Sequence, residues 1–154
     1  MAPDTWPGGC QCGAVRYEVA AAEVLTLICC HCRECQKQSA SAFGMSLILP
    51  RAAFALLQGE LLSFQWRSDR GAARRGSFCP ACGVRIYNDD AEAGLWVSVK
   101  AGTLDDTSGL APVGHLWTRR AQPWLALPDG LLCYEGEPES DVALEAAYRE
   151  RRRP

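Results

Sequence analysis

Cys29-Cys30-His31-Cys32-Arg33-Glu34-Cys35, running on as Gln36-Lys37-Gln38-Ser39-Ala40-Ser41-Ala42-Phe43, is the stretch around which the chain is organised. Four of the nine cysteines fall within seven residues, too dense for ordinary core packing. Cys30, Cys32 and Cys35 leave gaps of one and two residues, so a single tight turn can aim three sulfurs at one point. Three thiolates on one zinc ion leave a fourth position for water or substrate, which separates catalytic zinc sites from closed structural ones. The alternative is a closed site in which Cys29 or His31 supplies the fourth ligand. His31 lies between two proposed ligands and is expected to point away from the metal, beside the site or at the surface, although imidazole does suit zinc.

Two further cysteine pairs sharpen this reading. Cys10-Gln11-Cys12-Gly13 lies near the start of the chain and Cys79-Pro80-Ala81-Cys82-Gly83 far downstream. Each pair is followed at once by glycine, which adopts the positive φ that lets a chain curl beneath a metal. Two such knuckles brought together make a closed four-thiolate zinc site. Disulfide pairing or a link to the central cluster are the alternatives. A thioredoxin-like role for the second pair lacks the βαβ pattern that would surround it. Cys133 reads as a small buried apolar residue.

Taken in order, Gly9-Cys10-Gln11-Cys12-Gly13-Ala14-Val15-Arg16-Tyr17, Cys30-His31-Cys32-Arg33-Glu34-Cys35 and Phe78-Cys79-Pro80-Ala81-Cys82-Gly83 resemble the motifs of the glutathione-dependent formaldehyde-activating enzymes. That family includes centromere protein V and shares the Mss4-like fold. The resemblance continues through His115-Leu116-Trp117 and Pro123-Trp124 to about Glu135. It implies a single mainly β domain over residues 1–154, with a core at about 6–135, small antiparallel sheets joined at a structural zinc, and a short C-terminal helix. Cys10, Cys12, Cys79 and Cys82 would hold the structural zinc, and Cys30, Cys32 and Cys35 the catalytic one. The implied activity is that of a carbon–sulfur lyase of the S-(hydroxymethyl)glutathione synthase type. Its partners would be formaldehyde and a small thiol such as glutathione.

Composition agrees with a globular domain: hydrophobic residues are 48% and charged residues 22% of 154, ordinary usage rather than disorder. A formal net charge of −2 gives no basic footprint for nucleic acid or an anionic membrane. No run approaches the roughly 18 apolar residues of a membrane span, and Met1-Ala2-Pro3-Asp4-Thr5-Trp6 lacks the features of a signal peptide. Nine cysteines in an unexported chain point to metal rather than disulfides, so a cytoplasmic location is expected.

Along the chain, Ala14–Val19, Val24–Ile28, Phe43–Leu49, Leu61–Trp66, Arg85–Asn88, Leu95–Lys100 and His115–Thr118 read as strands. Cys29 would be the last inward residue of its strand. Arg33–Gln38 suits a helical turn, Arg51–Leu57 a short helix, and Ser68–Gly76 a hairpin loop. Arg33 and Lys37 could attract a carboxylate-bearing thiol, and Arg74, Arg75 and Arg85 could offset the charge of four thiolates. Asp105 and Asp106 read as a solvated loop, His115 as a hydrogen-bonded core histidine, and Trp117 and Trp124 as core or pocket wall. Ser140-Asp141 can cap a helix over about Val142–Arg151 with Val142, Leu144 and Ala147 on its apolar face, and Arg149–Arg153 reads as a frayed tail. Two rival functions stand beside the enzyme: a binding module in which both zincs are structural, and a redox sensor using Cys29 and Cys30.

Overall fold

The computed structural model describes residues 4–152. Met1–Pro3 of the expected leaderless start and Arg153–Pro154 of the expected tail lie outside the described residues. In chain order the first elements are β1 (Thr5–Gly9), β2 (Arg16–Ala20), β3 (Thr26–Cys30), α1 (Arg33–Ser39), β4 (Gly44–Pro50) and β5 (Phe54–Gln58). There follow β6 (Leu62–Arg67), β7 (Ala73–Phe78), β8 (Arg85–Asp90), β9 (Trp96–Lys100), β10 (Gly114–Leu116), β11 (Leu132–Cys133) and α2 (Val142–Arg151). The protein is mainly β, with small sheets and a short C-terminal helix. The described residues form two compact units, one within residues 4–24 and 47–109, the other within 25–46 and 110–152; β4 begins in the second and ends in the first.

The first unit holds the antiparallel sheet β1–β2–β5 and the antiparallel run β9–β8–β7–β6. Alternation on β2 turns Tyr17 and Val19 inward, both fully buried. Tyr17 stacks on Phe54 at 5.0 Å between ring centroids, and Phe54 meets the edge of Tyr87, also at 5.0 Å. The Tyr17 hydroxyl bonds Thr103 Oγ1 at 2.7 Å. Gly8 lets these groups close up, because a Cβ there would lie 2.4 Å from the Tyr17 ring. Arg51–Leu57 is not a helix: a single 3-10 turn at Arg51–Ala53 leads into β5. Its residues pair with β2, Phe54 with Val19 and Leu56 with Tyr17, so a non-local ladder overrides the local helical propensity. The expected Ser68–Gly76 loop is also shorter, since β7 already starts at Ala73.

That shorter loop changes the role of its arginines. Arg75 forms a two-pronged ion pair with Asp89, whose side chain is fully buried, through Nε at 3.0 Å and Nη2 at 2.5 Å. Arg85 lies over the Phe64 ring at 4.4 Å and bonds Asn88. Asp105 does not simply face solvent but pairs with Arg16, and Asp106 accepts from the Ser108 amide and hydroxyl.

In the second unit β10 pairs in parallel with both β3 and β11. β3 is buried from Thr26 through Cys29, the near-continuous burial expected of a central parallel strand. The helix α2 covers this sheet with Leu144 and Tyr148, one turn apart, while Val142 of the expected apolar face is 71% exposed. A Cβ at Gly114 would lie 2.5 Å from Leu144 Cδ2, so glycine there permits the close approach of helix to strand. Ser140 supports the helix start, its hydroxyl accepting from the Val142 amide at 3.3 Å. Cys133 and Trp124 are exposed, against the sequence expectation: β11 is a two-residue edge strand, and the Pro123–Trp124 segment carries no strand.

Candidate metal centres

Two groups of sulfurs converge, each within one unit. The Sγ atoms of Cys10, Cys12, Cys79 and Cys82 lie within 4.8 Å of one another, as do those of Cys30, Cys32 and Cys35. All nine cysteines are free thiols, so neither group is a disulfide. Soft, closely spaced thiol donors are the ligand chemistry that zinc and other thiophilic ions select. Both clusters could therefore hold a metal ion.

The first group forms where the chain leaves β1 and again where it leaves β7. The two turns repeat one construction. Gly13 and Gly83 have φ of 79° and 76°. Each returns its amide to the carbonyl of the first cysteine, Gly13 to Cys10 at 3.2 Å and Gly83 to Cys79 at 2.9 Å. Amides also aim at sulfur, that of Val15 reaching Cys10 Sγ at 3.2 Å. Burial pushes the Cys10 thiol up, but the Val15 amide and the neighbouring thiols prevail and bring it down to about 6. The Ala14 amide lowers Cys12, yet the adjoining thiols of Cys10 and Cys82 drive it up to about 11. Four thiols this close oppose one another's ionisation, a cost that a bound cation would offset.

The central group sits where β3 passes into α1. Cys30 ends the strand, Cys32 caps the helix with its sulfur accepting from the Cys35 amide at 3.4 Å, and Cys35 lies in the first helical turn. The thiols of Cys30 and Cys35 donate toward Cys32 and, with the Cys35 and Glu34 amides, hold it down at about 2 against the opposing effect of burial. The same contacts with Cys32 and Cys35 push Cys30 far up. Neither Cys29 nor His31 joins the group among the described residues. Cys29 faces the other side of β3, 3% exposed, and burial pushes its thiol up to about 12.

His31 is not at the surface. It is fully buried, and its Nε2 shares a 2.9 Å hydrogen bond with His115 Nδ1. The rings stack at 5.1 Å, and Phe43 closes on His31 at 5.5 Å. Burial lowers both imidazoles; His115 lowers His31 further, while the Ala42 carbonyl opposes. The pair is therefore neutral at pH 7. His115 also lines a cavity of about 240 Å³ with Cys29, Phe43, Leu125 and Leu131. This cavity opens on the Cys29 face of β3, and none of Cys30, Cys32 or Cys35 lines it.

Sequence reading did not single out Gln36. Its amide nitrogen donates to the His31 carbonyl at 2.7 Å and to the Arg120 carbonyl at 2.9 Å, and its oxygen accepts from Gln122 at 2.9 Å. One side chain thus ties the cysteine turn to residues 118–122. The only local sign was a glutamine one residue after Cys35; its partners Arg120 and Gln122 are more than eighty residues away.

Comparisons with known proteins agree with this geometry. The family model described as glutathione-dependent formaldehyde-activating enzyme matches residues 5–120, a span containing both cysteine groups. A crystal structure of a Rhodobacter sphaeroides protein superposes with a TM-score of 0.51 at 19% identity, covering 83% of this chain and 98% of that one. At that identity the likeness bears on the fold alone.

Proposed function

The chain belongs to the glutathione-dependent formaldehyde-activating enzyme family, and from that premise we propose that it joins a small thiol to formaldehyde as a carbon–sulfur lyase of the S-(hydroxymethyl)glutathione synthase type. The carrying observation is the convergence of Cys30, Cys32 and Cys35 within 4.8 Å with no further His, Cys, Asp or Glu in the group among the described residues. These residues would hold a zinc ion with one position open, while Cys10, Cys12, Cys79 and Cys82 would close around a second, structural zinc. Bound at the central group, zinc supplies a soft Lewis acid that lowers the pKa of a substrate thiol.

The chain's own residues prepare that chemistry. Cys32 is the thiol most readily ionised, and the Cys35 amide orients its sulfur. Gln36 fixes the turn that carries the ligands. The neutral His31–His115 pair backs the turn without adding charge to it. In the net reaction a sulfur–carbon bond forms between thiol and aldehyde carbon, and the thiol proton ends on the carbonyl oxygen. The reverse step returns both reactants.

Free thiols throughout the chain suit a reducing compartment, which supports a cytoplasmic enzyme. No described helix is long and apolar enough to cross a membrane. Exchange NMR on an equilibrated mixture of formaldehyde and glutathione provides the test. The protein should accelerate exchange between free and thiol-bound formaldehyde, and an unchanged exchange rate with metal-loaded protein would refute the activity.

A further inference from the structure

The cavity of about 240 Å³ in the second unit has no part in the thiol chemistry proposed above. Its walls come from Cys29 on β3, Phe43 just before β4, Pro112, His115 on β10, Leu125 and Leu131, all of that unit. Cys29 and His115 are register partners on adjacent parallel strands, so their side chains leave the sheet on one face and form the cavity floor. No charged side chain lines this space, and His115 brings the only side-chain nitrogen or oxygen to it among the described residues. Cys29 adds a soft, nearly apolar thiol.

Two properties decide what such a space holds. The first is its dryness and size. A cavity of roughly 150 Å³ lined by Leu, Ile and Phe stays dry and takes up benzene, so this one has room for a larger apolar body. A water molecule needs about two to four polar partners, more than these walls offer. The second is the spare nitrogen of His115. Its Nδ1 is committed to His31 Nε2 at 2.9 Å, and its Nε2 has no hydrogen bond among the described residues. Unlike His31 Nδ1, which is enclosed without a partner, His115 Nε2 is not sealed off, and the space that His115 borders is the cavity.

We propose that this cavity is a binding site for a small uncharged molecule, apolar in body and carrying one hydroxyl that bonds His115 Nε2. A hydroxyl both donates and accepts, so it satisfies Nε2 in either tautomer of the neutral imidazole. A carboxylate or ammonium group would enter without a counter-charge, at the cost of its hydration. None of Cys30, Cys32 or Cys35 lines the cavity, so the site is separate from the central thiols and its occupancy does not depend on their reaction. It nevertheless touches their turn, because His115 bonds His31, the residue between Cys30 and Cys32.

Calorimetry on the full-chain protein with 4-propylphenol, propylbenzene and 4-propylbenzoate tests this. The phenol should bind, propylbenzene should bind roughly tenfold more weakly for want of one hydrogen bond, and the carboxylate should give no heat. Imidazole ¹⁵N spectra should show His115 Nε2 shifting with the phenol and staying in place with propylbenzene. Ala126, exposed at the rim of the cavity, provides a blocking variant, and Ala126→Trp should abolish phenol binding. No binding of the phenol by the wild type, equal affinity for phenol and propylbenzene, or undiminished phenol binding by A126W overturns the proposal. The ligand series needs only the wild-type protein, so it decides the matter even where the variant fails to fold.

Discussion

His115 and His31 show how a single buried contact sets a property of the site. Each imidazole is nearly removed from solvent, and the two share a 2.9 Å hydrogen bond. Burial lowers the pKa of His115 below the ordinary value near 6.5. The sign follows: the unfolded chain binds a proton that the folded chain resists, so folding stability is full above about pH 6.5 and is lost as pH falls below it. Thermal melts between pH 7.5 and 5 should show a falling midpoint, and His115→Gln should flatten that slope. An identical slope in the variant would show that the pair does not govern acid sensitivity.

The element that matters most is α1, only seven residues long and with no fully buried side chain. Such a helix does not hold itself, because short helices are marginal without tertiary contacts. Gln36 supplies the anchorage through three hydrogen bonds spanning the cysteine turn and residues 118–122. Gln36→Ala leaves the His31 and Arg120 carbonyls without this donor, a loss of about 1–3 kcal/mol by the usual cost of stranded buried groups. With Co(II) as probe, the variant should bind metal at the central cysteines more weakly while the Cys10, Cys12, Cys79 and Cys82 group binds as before. Equal loss at both groups would point to general unfolding instead.

Some elements were legible in the sequence and others were not, for physical reasons. The knuckles were readable because Gly13 and Gly83 state a local backbone demand, and both do take positive φ. The helical turn after Cys32 and the C-terminal helix were readable from local propensity and capping. Arg51–Leu57 was misread because its strand exists only through pairing with β2, more than thirty residues earlier. The His31–His115 bond and the Gln36 bridge are invisible to spacing, since each joins residues 84 apart. Cys133 looked apolar in its local run, and only the edge position of β11 exposes it.

At the scale of the whole molecule, the two cysteine groups are expected to divide labour between stability and chemistry. The group of Cys10, Cys12, Cys79 and Cys82 links the turn after β1 to the turn after β7, sixty-seven residues away between Cys12 and Cys79. Metal binding at such a staple is folding free energy, on the order of 10 kcal/mol in small zinc modules. Cys82→Ser should therefore lose the cooperative melting transition, whereas Cys32→Ser should keep it, lose one metal per chain and abolish turnover. A normal melting curve for Cys82→Ser would contradict the staple.

The most direct test of the central claim, that a substrate sulfur reaches the open position at Cys30, Cys32 and Cys35, is titration of Co(II)-loaded protein with glutathione. The absorption of sulfur-to-cobalt charge transfer and the release of protons are followed together, with S-methylglutathione as control. The account predicts that glutathione strengthens the charge-transfer band and releases a proton, and that the blocked thiol does neither. With both metal sites filled, an unchanged spectrum and no proton release on adding glutathione would contradict it.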